Sequence, residues 1–439
     1  MTPRIAAAAF AVALLAGAAL RLSILPIRVA DIDASWRAWS YHAATGGAAN
    51  VYGPRGHTVR FGDIDVPVVY PPLAIDELGI VGRIYAWLTH GRFPDDDRLT
   101  MAIKGTIVLF EAALTALLYA AVRRVGNPAA ARLSAAAYWI NPAVLVTASL
   151  GYLDALAALP ATAAVIAASA GRPVVAGGLL AAAVMTKPQG LFAAPVVALA
   201  LWNAGDRRGA APLAWAVCAA AAVAAALCAP LVAAGTLPDM LRSVAVLAGH
   251  DMLSALAFNL WWIVSYLFAA ASAAGGGVRA ALATQPAIVT HAYVIERGFP
   301  HPRIVAIAML LPIVAWSCYR ARGAADLALH AALAAFIVVS YFMVSVQVHE
   351  NHFALAIPFL TLAAALRPEF AAVFVALSVT FALNVGLVYG WAGHAPATTM
   401  LPVAHVDATV LIALVNCVLF VWFAAVFARA CRRDGAIAA

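Results

Sequence analysis

Charge is scarce in this chain. Only 11% of its 439 residues are Asp, Glu, Lys or Arg, whereas 65% are hydrophobic, and the mean hydropathy is +0.92. So few charges cannot wet the surface of a soluble domain, and the remaining class is a polytopic membrane protein. Cysteine is also scarce: Cys218, Cys228, Cys318, Cys417 and Cys431 are the five, and the first four fall inside apolar runs. That spacing excludes a disulfide framework and a thiolate metal cluster. No polar stretch between the apolar runs is long enough for a separate soluble domain. The net charge of +7 is no nucleic-acid footprint, because most arginines sit in short loops where cytoplasmic retention explains them. Nucleic acid is therefore excluded as a partner, and membrane lipids are expected as one.

What is present is a series of apolar runs of about 20 residues, each long enough to cross a bilayer. Twelve spans are expected, at 5–25, 102–122, 133–150, 153–170, 173–187, 189–203, 211–234, 303–319, 324–347, 353–366, 369–391 and 407–428. The first run, from Arg4 to Leu25, has the basic start of a signal peptide. No convincing small-residue cleavage site precedes Asp31, so the run is read as a retained span. Basic loops recur at Arg123, Arg124 and Arg132, at Arg172, at Arg207 and Arg208, at Arg320 and Arg322, at Arg367, and in the tail at Arg429, Arg432 and Arg433. All become cytoplasmic if the N-terminus is cytoplasmic and one further apolar segment, 252–270, does not cross. That segment is read as embedded or re-entrant, which requires protein or a wet cavity to satisfy its backbone. Residues 70–92 carry Asp76, Glu77 and Arg83 among apolar residues and fit an amphipathic helix lying at the interface.

The expected organisation is one integral domain over 1–439, all-α, with about 12 transmembrane helices. Within it, 26–100 is an extracytoplasmic loop with interfacial helices, and 101–234 is a core transmembrane module. Residues 235–302 form a second extracytoplasmic loop holding the embedded segment, and 303–439 carry the C-terminal helices. The first loop holds nine of the chain's acids. This topology collects polar motifs on one face of the membrane: Asp31 and Asp33, Tyr70-Pro71-Pro72, Gly151-Tyr152-Leu153-Asp154, Lys187-Pro188-Gln189, Asp251, Asn259, and the tetrad His349-Glu350-Asn351-His352. The tetrad follows an apolar run without an evident loop. Two imidazoles and a carboxylate are costly at such a boundary.

Six pieces in order resemble the GT-C superfamily of membrane glycosyltransferases, most closely its bacterial mannosyltransferase-like members related to the GPI-anchor mannosyltransferases. They are the Asp-bearing first loop ending in Trp39 and Val51-Tyr52, then Tyr70-Pro71-Pro72-Leu73, then Trp139-Ile140-Asn141-Pro142 with Gly151-Tyr152-Leu153-Asp154. Thr186-Lys187-Pro188-Gln189, Ala257-Phe258-Asn259-Leu260-Trp261-Trp262 and Gln347-Val348-His349-Glu350-Asn351-His352 complete the set. Two positions depart from the family pattern. The spacing from Asp31 to Trp39 is one residue longer than usual, which leaves Asp31 against Asp33 open, and Tyr152 stands where Gln or His is common. The resemblance implies an inverting hexosyltransferase, with a mannose-like sugar delivered by a polyprenyl-phosphate donor. The acceptor would be a lipid-linked or envelope glycan, reached at the extracytoplasmic face of the inner (plasma) membrane.

The residues support roles in that chemistry. An inverting transfer needs one base for the acceptor hydroxyl, and Asp31 or Asp33 supplies a carboxylate, the alternative being a solvated loop acid or helix cap. His349 and His352, a turn apart, offer donors to the lipid phosphate, with Glu350 to orient them. Plain interface polarity or a metal pair are the alternatives, although no third ligand is evident. Lys187 offers a point cation to a phosphate or a snorkelling side chain, with Gln189 beside it. Asp154 offers acceptor-sugar contact or a helix cap. Tyr70 is the aromatic of the first loop's second motif. Arg21 offers a partner to Asp31 or a phosphate, or snorkels, and Trp261 offers ring stacking or an interface anchor. Glu111, alone in an apolar helix, needs a partner or a proton, reading as an inward-facing structural acid or as part of a transporter's proton pathway. Asp95-Asp96-Asp97 reads as a solvated charge run, with a divalent-cation site as the alternative, and no other cofactor is implied. The rival readings are a secondary transporter or lipid-linked sugar flippase, which would show inverted repeats, and a non-catalytic scaffold.

Overall fold

The computed structural model describes residues 3–29, 32–52, 58–61, 64–204, 210–391, 394–396, 398–401 and 406–437. It is almost entirely helical. Among these residues nine helices are long and apolar enough to cross a membrane, and three shorter apolar helices accompany them. The chain is thus an all-α, multi-pass membrane protein. It divides into two compact units, Met1–Gly249 and His250–Ala439.

The first unit runs α1 (Pro3–Ile24), α2 (Arg37–Gly46), α3 (Pro72–Leu88), α4 (Asp97–Val125), α5 (Pro128–Trp139), α6 (Pro142–Leu150), α7 (Asp154–Ser169), α8 (Pro173–Thr186), α9 (Ala194–Ala204), α10 (Ala211–Ala234) and α11 (Leu237–Gly249). A π-helical turn, Ile32–Trp36, leads into α2, and an antiparallel hairpin pairs β1 (Thr58–Phe61) with β2 (Ile64–Pro67). Asx caps start several helices: Asp96 accepts from the Arg98 N–H, Asn127 from Ala130 and Asn141 from Ala143. Asn127 and Asn141 are each followed by a proline whose missing N–H costs nothing there. Close packing relies on small residues. A Cβ on Gly177 would lie 1.9 Å from the Ala216 carbonyl oxygen, so α8 and α10 approach to backbone contact.

The twelve expected spans are refined rather than reproduced. The run 133–150 is two helices broken at Ile140-Asn141, because Pro142 cannot continue α5 and the Asn141 side chain caps α6. The run 189–203 begins as a 3-10 turn, Pro188–Ala193, leaving only the 11-residue α9. The run 70–92 forms α3. It buries Ala74, Ile75, Leu78, Val81 and Tyr85 and leaves Ile80, Ile84, Trp87 and Leu88 exposed, so apolar side chains lie on its exposed face as well as its buried one.

The second unit runs β3 (Ser254–Ala255), α12 (Leu260–Ala273), α13 (Gly277–Leu282), α14 (His291–Ile295), α15 (Pro302–Arg320), α16 (Leu327–Val344), β4 (Val348–His349), α17 (Ala356–Leu366), α18 (Ala371–Tyr389) and α19 (Ala408–Ile437). The central helix is α16, whose Phe336 packs against Trp316, Phe420, Phe423 and Phe427. The helical stretch Leu260–Leu282 is long enough to cross by itself. The irregular stretch before it finds protein partners. The Phe258 N–H donates to Asn384 Oδ1 at 2.8 Å, Asn384 Nδ2 donates to the Leu256 carbonyl at 2.9 Å, and Asn416 Nδ2 donates to the Phe258 carbonyl at 2.8 Å. The sequence placed the tetrad directly on a helix running to 347. That is corrected: α16 ends at Val344, and a bend at Val346-Gln347 leads into the two-residue strand Val348–His349. Asn259 stops the helix, donating to the Phe342 carbonyl at 2.8 Å, while the Trp261 indole N–H donates to the Val344 carbonyl at 2.8 Å.

Candidate functional site

Three motifs singled out separately in the sequence meet in the first unit. Asp154 opens α7 and Lys187 ends α8, 33 positions on, and the Lys187 ammonium donates to Asp154 Oδ1 at 2.6 Å. Both are buried, at 7% and 4% exposure. Tyr70 presents its ring to the same ammonium, 5.9 Å from the ring centroid. Trp36 and Trp39, from the first motif, pack against Tyr70 at 5.4 Å and 5.6 Å and against each other at 4.8 Å. The Tyr52 hydroxyl donates to the Tyr70 carbonyl at 2.6 Å, fastening the Val51-Tyr52 piece to this cluster. Burial, reinforced by nearby Asp76, keeps that phenol protonated by raising its pKa well above the usual range.

Gly151 ties the π-helical turn to this cluster. It caps α6 in the left-handed conformation, φ +69°, and a Cβ there would lie 2.3 Å from Ile32 Cδ1. The Trp36 indole N–H donates to the Gly151 carbonyl at 3.0 Å. The turn's backbone, which includes Asp33, is therefore pinned to the Gly151-Tyr152-Leu153-Asp154 motif. Asp31 and the side chain of Asp33 lie outside the described residues. Gln189 follows in the 3-10 turn after Lys187, one residue before the buried Gly190.

Lys104 was missed in the sequence reading. It is buried in α4, and its ammonium donates to the carbonyls of Ile24 at 3.0 Å, Ile27 at 2.6 Å and Ser149 at 2.7 Å. One cation thus joins the end of α1 to the end of α6, beside Gly151. A lysine two turns into an apolar helix was the available signal.

Arg21 pairs with Glu111: its Nε donates to Glu111 Oε2 at 2.7 Å, and Nη1 donates to the carbonyls of Gly17 and Trp139. The guanidinium also stacks 3.7 Å over Trp139. Glu111 thus has the partner its position required. The Asp95-Asp96-Asp97 run is also engaged. Arg37 pairs with Asp95, Arg98 with Asp96 and Arg28 with Asp97. The Arg98 hydrogen bond is the main reason the Asp96 carboxyl is lowered to about 2. Among the described residues, no group of three or more His, Cys, Asp or Glu is placed to hold a metal ion.

The tetrad motif and the Asn259 motif meet in the second unit. β3 pairs with β4 in parallel, Ser254 opposite Val348 and Ala255 opposite His349. Leu256 (φ +66°) and Gln347 (φ +62°) flank this pairing in the left-handed region, a strained conformation for non-glycine residues. The Gln347 side-chain amide donates to the His250 carbonyl. A 3-10 turn, Glu350–Phe353, carries the rest of the tetrad. The rings of His349 and His352 lie 5.4 Å apart, so the two imidazoles do come together. His352 Nδ1 accepts from the His349 backbone N–H at 3.4 Å and faces the Tyr341 hydroxyl at 3.2 Å. With Nδ1 accepting, the ring hydrogen sits on Nε2, leaving that nitrogen as a donor. Glu350 is buried at 2% exposure. Trp261 is buried as well, its N–H spent on the end of α16.

No protein-family model matches this chain, and no curated protein matches it at the significance required.

Proposed function

We propose that this protein is an inverting membrane hexosyltransferase of the GT-C type. It moves a mannose-like sugar from a polyprenyl-phosphate donor to a lipid-linked or envelope glycan acceptor, at the extracytoplasmic face of the inner membrane. The supporting observation is the convergence of the Tyr70, Asp154 and Lys187 motifs beside the turn that carries Asp33. These positions are far apart in sequence, and an aromatic ring, a carboxylate and a cation in one buried cluster suit a sugar hydroxyl and an anionic leaving group.

In this reading Asp31 or Asp33 takes the proton from the acceptor hydroxyl. That oxygen forms a bond to the anomeric carbon as the bond to the phosphate oxygen breaks, and the electron pair leaves with the phosphate. A phosphate departs without a protein acid, so one base suffices. The aromatic face of Tyr70 and the Asp154–Lys187 pair orient the acceptor sugar. His349, Glu350 and His352 are assigned to the donor phosphate on their chemistry. The embedded reading of 252–270 and the twelve-span count belong to this proposal. Glu111, which a transporter reading could use as a proton-path acid, is ion-paired with Arg21.

The test is purified protein incubated with radiolabelled polyprenyl-phosphate-mannose and a membrane lipid extract. Label should appear in one lipid or glycolipid species. Label that stays entirely on the donor, with protein shown to be folded, would sink the assignment.

A further inference from the structure

A second polar cluster in the unit His250–Ala439 takes no part in the reading above. It gathers at the N-terminus of the 19-residue helix α15. His301 caps that helix, its Nδ1 accepting the Arg303 N–H at 3.3 Å. The N–H groups of Ile304 and Val305 are used on the His301 carbonyl. The helix end therefore contributes its positive dipole, and any direct donors must be side chains.

Such donors are present. His291 is buried, at 4% exposure. Its Nδ1 lies 3.6 Å from Asp251 Oδ1, and the same oxygen accepts the His291 backbone N–H at 2.7 Å. The far ring nitrogen, Nε2, is turned away from that carboxylate and has no hydrogen-bond partner. The ring of His301, itself exposed, lies 5.8 Å away. Arg303 is the remaining member. Its Nη2 donates to the His250 carbonyl at 3.2 Å, which fixes the fork, while its Nε is buried without a partner. The Arg303 Nε–H lacks an acceptor, and the unpartnered His291 Nε2 becomes a second donor once its ring is protonated, beside an exposed imidazole at a positive helix end. Burial and the nearby Arg303 cation both hold the His291 imidazole below its usual pKa.

We infer that His291, His301 and Arg303, at the N-terminus of α15, form a phosphate-binding site. A phosphate oxygen supplies the acceptor that Nε of Arg303 lacks, its charge draws a proton onto His291 Nε2, and the helix dipole favours the anion. Asp251 is the only carboxylate in contact with the cluster among the described residues, and it faces the opposite edge of the His291 ring. The ligand is a phosphate group, carried either by a membrane phospholipid or by a free anion. The inference stands on this unit's own geometry and not on the glycosyl-transfer reading.

The test uses the full chain in two arms. In one, detergent-purified protein is titrated with inorganic phosphate by calorimetry. In the other, protein in nanodiscs of phosphatidylcholine doped with phosphatidylglycerol is examined by native mass spectrometry for retained anionic lipid. Arg303→Gln and His301→Gln should each weaken binding tenfold or more in whichever arm binds, and Arg303→Lys should restore part of it. Arg297→Gln, which removes an arginine stacked on Tyr293, should leave binding unchanged. Phosphatidylglycerol retained in preference to phosphatidylcholine identifies a headgroup, and binding of inorganic phosphate alone identifies a free anion. No binding in either arm overturns the inference. So does binding that Arg303→Gln and His301→Gln leave intact in variants with wild-type melting temperature.

Discussion

Lys187 and Asp154 are a buried ion pair, and such a pair separates structure from chemistry when its members are removed together. Removing one leaves a charge buried alone, which costs about 3–5 kcal/mol. Lys187→Met and Asp154→Leu singly should therefore lower the melting temperature sharply. The double variant should regain most of that stability, because two apolar side chains of similar volume replace the pair. Sugar transfer should stay lost in the double variant. Transfer recovered together with stability would make the pair purely structural. Glu77 offers a second residue-level test. Burial, with Asp76 nearby, raises its carboxyl to about 8, against an ordinary value of 4.5. Between those limits the folded protein holds a proton that the unfolded chain does not. Stability is therefore fully present below the unfolded value and falls as pH rises toward 8. Glu77→Gln should flatten that decline, melting later than wild type by about 1–3 kcal/mol at pH 9 and equally near pH 4. Parallel melting curves across the range would contradict it.

Gly151 shows how an element's register carries the site. Gly151→Ala would strain a left-handed backbone and drive a methyl group into Ile32, displacing the turn that bears Asp33. The expected result is at least a tenfold loss of transfer with donor binding retained, measured by equilibrium binding of labelled donor. Undiminished transfer would detach Asp33 from this motif. Much of the element plan was legible because its signals are local. Asn127-Pro128 and Asn141-Pro142 are local helix-start signals, although the expected span 133–150 ran through the second of them, and the apolar run 70–92 holds the helix α3. The end of α16 was not legible. Its stop comes from Asn259 and Trp261, more than 80 residues away, and no local breaker stands near Val344. The hairpin at 58–67 and the two-residue strands were missed because they are pairings, which hydropathy does not encode. The site itself was legible as residue types but not as neighbours. The sequence nominated Asp154 and Lys187 independently and held no sign that they touch. It offered Arg21 to Asp31, while burial selects Glu111 as its partner.

At the scale of the whole molecule, the arrangement of basic loops predicts which faces are wet on which side. In a variant with the five native cysteines replaced by alanine, Gly62→Cys and Gly298→Cys should react in intact cells with a membrane-impermeant thiol reagent. Arg207→Cys should react only after permeabilisation. The reverse pattern would overturn the topology, and with it the extracytoplasmic site. The central claim is sugar transfer driven by a carboxylate of the first loop, and the rate of label transfer from polyprenyl-phosphate-mannose tests it most directly. For wild type, Asp31→Ala, Asp33→Ala and the double variant, that rate should be read beside donor binding. The account predicts robust transfer by wild type, a loss of about 10²–10⁴-fold when the base is removed, and donor binding that is little changed. Transfer by the double variant at the wild-type rate would contradict it.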